Sequence, residues 1–382
     1  MPRKIVILSP AHPLRGGIAS SSERLAQEFQ QQGHQVQLVS FSLQYPDFLF
    51  PGKTQYTDDP APAGLKIETK LNSINPFNWI QTGLYLRKLG VDLIIVRYWL
   101  PFMGPSLGTA CRIAKGNGHT KVIALADNII PHEARIGDKQ FTQYFCNSVD
   151  AFLVMSRAVG EDAKRFAPQK PVAYSPHPIY DNYGALASRA KALSHLKLDA
   201  NYRYLLFFGF IRDYKGLDIL LEAMVNKAVK DLPIKLIIAG EYYGKADKYD
   251  TIIEQHQLED KIISHNTFIS SEEVKYYFAA ADLVAQPYRT ATQSGISQLA
   301  YHFEKPMIVT NVGGLPEIVE DGKVGYVVDV DKDAVANAIL DFFNNNRLEA
   351  MTKGVQENKE LFSWDKIVEV FEGLYSSTTE MN

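Results

Sequence analysis

The feature of this sequence that most constrains its fold is an alternation of short apolar, β-branched runs with longer segments of helical periodicity. The alternation occurs in two series, and strands that are separated by helices form parallel βαβ units. The first series is KIVILS (4–9), QVQLVS (35–40), LIIVRY (93–98), KVIALA (121–126) and AFLVMS (151–156). The second is YLLFFG (204–209), KLIIAG (235–240), KIISHN (261–266), DLVAQP (282–287), PMIVTN (306–311) and GYVVDV (325–330). The sequence therefore predicts an α/β protein with two Rossmann-like domains, each built on a parallel sheet.

The domain boundary is expected between the two series. A chain of 382 residues exceeds what one hydrophobic core usually serves, so two domains are expected. A proline-rich stretch, 168–178, lies between the series and is also a candidate hinge. We place the N-terminal domain at 1–180 and the C-terminal domain at 181–362.

Helical spacing and breaker residues predict the elements between the strands. Helices are expected at 20–32, 216–229, 271–280 and 296–303, with an amphipathic helix at 362–375 and a frayed end at 376–382. Residues 41–80 are rich in proline, glycine and polar residues, which predicts a long connection of the kind that often carries function.

Composition excludes several classes of protein. With 46% hydrophobic residues, 22% charged residues and a net charge of -3, the chain is typical of globular proteins, and no basic excess indicates nucleic acid. Cys111 and Cys146 match neither a disulfide framework nor a zinc site, which predicts buried thiols and a cytoplasmic compartment. No run of about 18 apolar residues is present, so any membrane contact is expected to be peripheral.

One segment offers such a contact. PFNWIQTGLYLRKLG (76–90) places Trp79, Ile80, Leu84 and Leu86 beside two basic residues, Arg87 and Lys88. These side chains could lie on an anionic membrane surface. A helix packed on its own domain is the alternative interpretation.

In parallel sheets, ligands bind beyond the carboxyl ends of the strands, so the loops after the apolar runs are the candidate sites. The first loop ends at Gly16 and Gly17, which let backbone N–H groups approach an anion at a helix start. A tight turn that requires positive φ is the alternative. The spacing does not form the dinucleotide fingerprint G-x-G-x-x-G.

The loop FIRDYKG (210–216) places Arg212 and Lys215 immediately before a helix, which predicts a clamp for a diphosphate. The loop YRTATQSGIS (288–297) offers Gln293, Ser294 and Gly295 as amide and hydroxyl partners for phosphate or sugar. Glu317 follows a Gly-Gly turn near another helix start, which by itself is a weak signal.

Taken in this order, the motifs resemble the group 1 (family 4) retaining glycosyltransferases of the GT-B fold. The resemblance rests on GGI at 16–18, GFIRDYKG at 209–216, the AD-plus-PY segment at 281–288 and EKPMIVTNVGGLPEIVEDGKVGYVV at 304–328. It implies two facing domains that close on the reaction. It also implies that a C-terminal helix, 363–382, crosses back to the first domain. The implied activity is transfer of a sugar from a nucleotide-diphosphate donor to a glycan or lipid-linked acceptor, with retention of anomeric configuration.

The resemblance also implies roles for individual residues. Arg212 and Lys215 would neutralise the leaving diphosphate, and the backbone around Phe268 and Ile269 would contact the base. Gly16 and Gly17 would approach the donor from the opposite domain. The resemblance requires no metal and no cofactor apart from the donor.

The chain departs from the family pattern at two places. The two glutamates of the E-x7-E arrangement would fall at Ala291 and Leu299, so this chain resembles a subset that uses the QSG loop at 293–295 instead. After KVIALA, many relatives have a histidine where this chain has Asp127, followed by Asn128, His132 and Glu133. Asp127 is predicted to contact a donor hydroxyl or the developing positive charge. A turn-capping role is the alternative, and His132 is a candidate to bind the acceptor or replace the missing histidine.

Two other classes of function stay open on the sequence alone. A sugar-nucleotide epimerase or a phosphorylase would share the diphosphate clamp. A non-catalytic subunit that binds nucleotide sugars is compatible with both departures.

Overall fold

A computed structural model describes residues 2–46, 54–131, 135–181, 183–243, 246–292 and 294–380. The chain divides into two compact units. Unit 1 comprises Met1–His177 and Ser363–Asn382, and unit 2 comprises Pro178–Phe362. Each unit contains a parallel sheet with helices, which confirms the predicted α/β fold class.

The strands of unit 1 are β1 (Lys4–Leu8), β2 (Gln35–Leu43), β3 (Lys66–Asn72), β4 (Leu93–Tyr98), β5 (Lys121–Ala126), β6 (Ala151–Val154) and β7 (Val172–Tyr174). Its first helices are α1 (Gly17–Gln31), α2 (Pro76–Leu89), α3 (Gly104–Ala114), α4 (Asp138–Cys146) and α5 (Arg157–Phe166). Among the described residues the strand order is β3-β2-β1-β4-β5-β6-β7, and the strand pairs are parallel. Strands β2 and β3 lie on one side of β1 and strands β4 to β7 lie on the other, so the strand order reverses between β1 and β4.

The strands of unit 2 are β8 (Arg203–Phe208), β9 (Ile234–Ala239), β10 (Ile262–His265), β11 (Leu283–Gln286), β12 (Met307–Thr310) and β13 (Gly325–Val328). Its helices are α6 (Arg189–His195), α7 (Leu217–Val225), α8 (Lys227–Lys230), α9 (Asp247–Gln255), α10 (Ser271–Ala280), α11 (Gly295–His302), α12 (Leu315–Ile318), α13 (Lys332–Asn344) and α14 (Leu348–Asn358). The parallel order is β10-β9-β8-β11-β12-β13, so the reversal falls between β8 and β11 in the part of the chain described.

Burial on both faces explains why the central strands read as continuous apolar runs. In β1, Val6 and Leu8 belong to the core on one side of the sheet, whereas Ile5 and Ile7 belong to the core on the other side. Strand β8 alternates in the same way between two cores of unit 2. A parallel sheet covered by helices on both faces requires apolar residues at successive positions.

The last helix, α15 (Trp364–Glu380), packs on unit 1. Trp364, Ile367 and Phe371 lie in the core between this helix and the sheet, and the ring of Phe371 is 5.8 Å from that of Phe29 on α1. The expectation that the C-terminal helix returns to the first domain is therefore confirmed. The expected fraying at 376–380 is wrong, because the helix continues to Glu380.

Two edge strands were not predicted. The segment 41–80 is not one irregular connection, because β2 continues to Leu43 and β3 occupies Lys66–Asn72. Strand β3 lies at a sheet edge and mixes charged with apolar residues, so it has no continuous apolar run. Strand β7, at the opposite edge, is three residues long.

The expectation that both cysteines are buried is confirmed. Cys111 and Cys146 are buried free thiols, and burial raises the pKa of both to about 12.

The predicted helix at 216–229 is divided at Asn226, whose side chain accepts a hydrogen bond from the N–H of Ala228 and caps α8. Throughout the described residues, no helix combines the length and the apolar character that crossing a membrane requires.

Candidate functional site

The site in unit 2 lies where the strand order reverses. Loops that follow β8 and β11 leave the sheet in this region, and in open parallel sheets this is the position where ligands bind. The loop after β8 runs from Gly209 to Gly216, and the loop after β11 runs from Pro287 to Ser294. The sequence placed Arg212, Lys215, Ser294 and Gly295 in or next to these loops.

Glycines allow the two loops to approach each other closely. Gly216 has φ 67°, and a Cβ atom there would lie 2.0 Å from the carbonyl oxygen of Pro287. Gly209 has φ 92°, and its Cβ would lie 3.3 Å from Nζ of Lys215. A side chain at either position would be strained by its backbone conformation and would displace the neighbouring loop or the lysine.

Lys215 is a buried cation. It ends a 3-10 helix, Asp213–Lys215, and is 9% exposed. Burial, with a further contribution from the positive charge of Arg212, lowers the pKa of Lys215 to about 8. No carboxylate of the described residues pairs with its ammonium group. Without a ligand, the site therefore contains a buried positive charge. Binding of an anion would offset the free-energy cost of burying that charge.

Arg212 is half-buried and lies beside an aromatic ring. Its guanidinium carbon is 4.7 Å from the ring centroid of Tyr243, which follows β9. The nearby Arg289 differs, because two of its nitrogens bind the Asp218 carboxylate at 2.9 and 2.8 Å. The sequence singled out Arg212 but gave no sign of Tyr243.

A buried polar cluster holds the start of α11. The side-chain oxygen of Gln286, at the end of β11, accepts hydrogen bonds from Ser294 Oγ at 2.6 Å and from Ser297 Oγ at 3.0 Å. Ser294 Oγ also accepts a hydrogen bond from the N–H of Ile296 at 3.2 Å and so caps the helix. Gln286 is 1% exposed and was not predicted. A polar residue at the end of the apolar run DLVAQP was the available signal.

The remaining predicted residues of unit 2 have different surroundings. Gly295 packs against Tyr180, whose ring would lie 2.7 Å from an added Cβ. The side chain of Ile269 packs against a core of unit 2, and Glu317 is exposed on α12. Gln293 lies outside the described residues.

In unit 1, the predicted glycines begin α1. Gly16 caps this helix with φ 114°, a conformation that favours glycine, and apart from its chain neighbours no described residue has an atom within 4 Å of the position of a Cβ there. Gly17 is the first residue of α1. The backbone geometry meets the requirement of a turn with positive φ, and the predicted contact of these glycines with a ligand stays a prediction.

Asp127 follows β5 and is bound by an arginine that the sequence analysis overlooked. Nε and Nη2 of Arg97, on the adjacent strand β4, donate to Oδ2 and Oδ1 of Asp127 at 2.6 and 2.7 Å. Oδ1 of the next residue, Asn128, is buried and has no hydrogen-bond partner among the described residues. His132 and Glu133 lie outside the described residues. An arginine inside the apolar run LIIVRY was the signal for this pair.

The surface of α2 corrects part of the membrane prediction. Leu86 is fully buried, and Trp79 is half-buried with its indole N–H donating to the carbonyl of Asn72 at 2.7 Å. Ile80 and Leu84 are exposed, as is Phe77, which is 79% exposed. Trp79 and Leu86 therefore face the protein, because the helix turns them toward the core of unit 1.

The fold defines the class of protein to which the chain belongs. Two Rossmann-like units and a C-terminal helix on unit 1 form the GT-B architecture. Sucrose-phosphate synthase from Thermosynechococcus elongatus matches 100% of both chains with a TM-score of 0.77 and 16% identity. Anabaena HepE in complex with UDP and glucose matches 98% of this chain and 100% of its own with a TM-score of 0.74 and 16% identity. At these identities the likeness concerns the fold alone.

The sequence comparisons identify the family. The model of glycosyl transferases group 1 matches residues 188–359, and the model of glycosyltransferase family 4 matches residues 15–182. Together the two matches span most of the chain, which belongs to the group 1 glycosyltransferases. A D-inositol 3-phosphate glycosyltransferase of Paenarthrobacter aurescens is 27% identical over 168 residues, which are 43% of this chain and 41% of the relative. The chain spans about half the length of the curated relatives that it matches.

Proposed function

We propose that the protein transfers a sugar from a nucleoside-diphosphate donor to a hydroxyl group of a glycan or lipid-linked acceptor, with retention of anomeric configuration. The observation that carries the proposal is the pair Arg212 and Lys215 at the strand reversal of unit 2, where no described carboxylate neutralises either cation. Membership of the group 1 glycosyltransferases and a structural neighbour that binds UDP and glucose support it.

In this proposal the two cations act on the leaving group. The bond between the anomeric carbon and the diphosphate oxygen breaks, and the oxygen of the acceptor hydroxyl forms the new bond to that carbon. Negative charge increases on the diphosphate as it leaves, and the hydroxyl proton ends on a phosphate oxygen or in solvent. Arg212 and Lys215 would stabilise this charge more strongly in the transition state than in the bound donor.

The other predicted contacts belong to the same proposal. The N–H groups at the start of α11, which Ser294 caps, would supply donors for phosphate or sugar, and Gln293 and Gly295 stay predictions for the same contacts. Ile269 stays a prediction for the base, and Glu317 stays a prediction for substrate binding without an assigned partner. In unit 1, Gly16 and Gly17 stay predictions for the phosphate or sugar, and Asp127 stays a prediction for a donor hydroxyl or the developing positive charge. His132 stays a candidate to bind the acceptor or to replace the missing histidine, and Asn128 and Glu133 stay predictions for substrate binding.

A labelled-donor assay tests the proposed activity. UDP-, ADP- and GDP-sugars are incubated with the protein and a panel of oligosaccharide and lipid-linked acceptors, and release of the nucleoside diphosphate is followed. Transfer that disappears in Arg212→Ala and Lys215→Met supports the proposal, and NMR of the product gives the anomeric configuration. Isomerisation of the donor without an acceptor would indicate an epimerase, and a requirement for inorganic phosphate would indicate a phosphorylase. Donor binding without any turnover would indicate a binding subunit.

We also propose that unit 1 meets an anionic membrane surface through the exposed face of α2. Phe77, Ile80 and Leu84 are exposed there, and Arg87 and Lys88 are exposed in its last turn. Apolar side chains next to basic ones are suited to the interface of an anionic bilayer. Flotation with vesicles that contain anionic lipid is expected to carry the wild type and not Phe77→Ser/Leu84→Ser. Wild-type protein that stays at the bottom of the gradient contradicts this attachment.

A further inference from the structure

Both cations of the candidate site lie over the faces of tyrosine rings. The guanidinium carbon of Arg212 is 4.7 Å from the ring centroid of Tyr243, and Nζ of Lys215 is 5.7 Å from that of Tyr288. Within the described part of the chain, neither cation forms an ion pair with a carboxylate. The nearby Arg289, by contrast, is paired with a carboxylate through two nitrogens.

This difference matters for binding an anion. A carboxylate would hold an arginine in place but would neutralise it and compete with a diphosphate for its N–H groups. A ring face attracts the cation through its quadrupole and through contact, and it leaves the net charge of the guanidinium unchanged. A tyrosine can therefore orient Arg212 without lowering the charge that an anion would meet.

Tyr243 is itself held beside the segment that carries Arg212. Its N–H donates to the carbonyl of Ile211 at 2.9 Å, and the N–H of Ile211 donates to the carbonyl of Glu241 at 2.8 Å. The ring of Tyr243 also meets the ring of Phe210 edge to face, with centroids 4.5 Å apart. The two residues that precede Arg212 are thus tied to the loop after β9, which holds the ring of Tyr243 beside the guanidinium.

We propose that Tyr243 is a positioning residue for the donor diphosphate, acting through Arg212, whose guanidinium it holds toward the anion. The inference rests on the proposed function, because it takes a diphosphate as the ligand of Arg212. It adds a residue from the loop after β9 to a site that the sequence assigned to the loops after β8 and β11.

Titration calorimetry with UDP and with inorganic pyrophosphate tests this role. Tyr243→Phe keeps the ring face and is expected to bind both probes within about twofold of the wild type, whereas Tyr243→Leu is expected to bind roughly three- to tenfold more weakly. In the background of Arg212→Ala, Tyr243→Leu is expected to cause no further loss, because the ring acts through the guanidinium. Tyr276→Leu is the matched control, because the ring of Tyr276 lies 5.3 Å from Nζ of Lys275 on α10.

The outcomes separate the inference from the proposed function. If Arg212→Ala weakens binding but Tyr243→Leu does not, or if Tyr243→Leu weakens binding equally without Arg212, the positioning role is wrong and the proposed function stands. Wild-type protein that binds neither probe contradicts both. Thermal melting checks that each variant is folded, and Tyr243→Met, which fills similar space without a ring face, replaces Tyr243→Leu should the latter unfold.

Discussion

The guanidinium of Arg97 and the carboxylate of Asp127 form a bidentate ion pair at the carboxyl ends of the adjacent strands β4 and β5. Arg97 is only 3% exposed, and the side chain of Asp127 is 13% exposed. The carboxylate that follows β5 is therefore engaged by a buried cation. Any role of Asp127 toward a sugar has to be performed by an oxygen that already accepts a hydrogen bond from Arg97.

Removing this carboxylate should destabilise unit 1. Asp127→Ala leaves the Arg97 guanidinium buried with its carboxylate partner gone, and we expect a loss of about 3 kcal/mol in the free energy of unfolding. Urea denaturation at neutral pH measures the change. Glu161→Ala is the control, because Glu161 and Lys164 form an exposed pair on α5, whose loss should change stability by less than about 1 kcal/mol. Equal effects of the two substitutions would contradict a buried, stabilising pair at Asp127.

Replacing the buried lysine should stabilise the protein without ligand. The folded-state pKa of Lys215 is about 8, below its ordinary value of 10.5, so the unfolded chain binds the proton more strongly. Lys215→Met removes this penalty and should raise the free energy of unfolding by on the order of 3 kcal/mol at pH 7. The gain should shrink as the pH rises from about 8 to 10.5 and vanish above it. Urea denaturation at pH 7 and pH 10 tests both statements, and a gain that is independent of pH would refute them.

Affinity for a diphosphate should fall at alkaline pH. Lys215 is protonated below a pH of about 8, and a bound anion favours the protonated form. Calorimetry with UDP should therefore show constant affinity from pH 7 to 7.5 and a progressive loss as the pH rises through about 8. The phosphate of UDP titrates near pH 6, below this window. Lys215→Met should bind more weakly with a flat profile, and a wild-type profile that is equally flat would show that Lys215 does not meet the anion.

Two buried glutamines near α11 should respond in opposite ways to replacement by methionine. Gln286 accepts two hydroxyl hydrogen bonds, so Gln286→Met leaves Ser294 and Ser297 without their acceptor and should cost about 1–3 kcal/mol. Neither polar atom of Gln298 has a partner in the described part of the chain, although the residue is fully buried. Gln298→Met should thus be neutral or stabilising. Urea denaturation of both variants measures the free energy of unfolding. A larger loss for Gln298→Met than for Gln286→Met would contradict this prediction.

The central strands could be predicted from the sequence because burial on both faces leaves a continuous apolar run. All eleven predicted runs form strands, including the edge strands β10 and β13 of unit 2, and the two that were missed, β3 and β7, lie at the edges of the sheet of unit 1. An edge strand has a neighbour on one side only, so polar residues are tolerated and the pattern weakens. For the same reason the predicted connection at 41–80 was too long.

The candidate site was predictable to the level of loops. Because parallel strands direct their carboxyl ends to one edge, the residues after the apolar runs identify Arg212, Lys215 and Ser294 without coordinates. Gln286 had a signal in the sequence, because it is the polar residue at the end of the apolar run DLVAQP. Tyr243 is associated with this site only when the strand order is known, because that order places β9, which it follows, next to β8.

The sequence by itself determined the strands, the fold class and the loops that carry charge, because these follow from local patterns of apolar, glycine and basic residues. Tertiary structure alone decided what each charge meets: a carboxylate for Arg97, a carboxylate for Arg289 and a ring face for Arg212. The physical reason is that the strength and sign of an electrostatic contact depend on distances between groups far apart in the chain. Strand order sets those distances, and no local pattern encodes them.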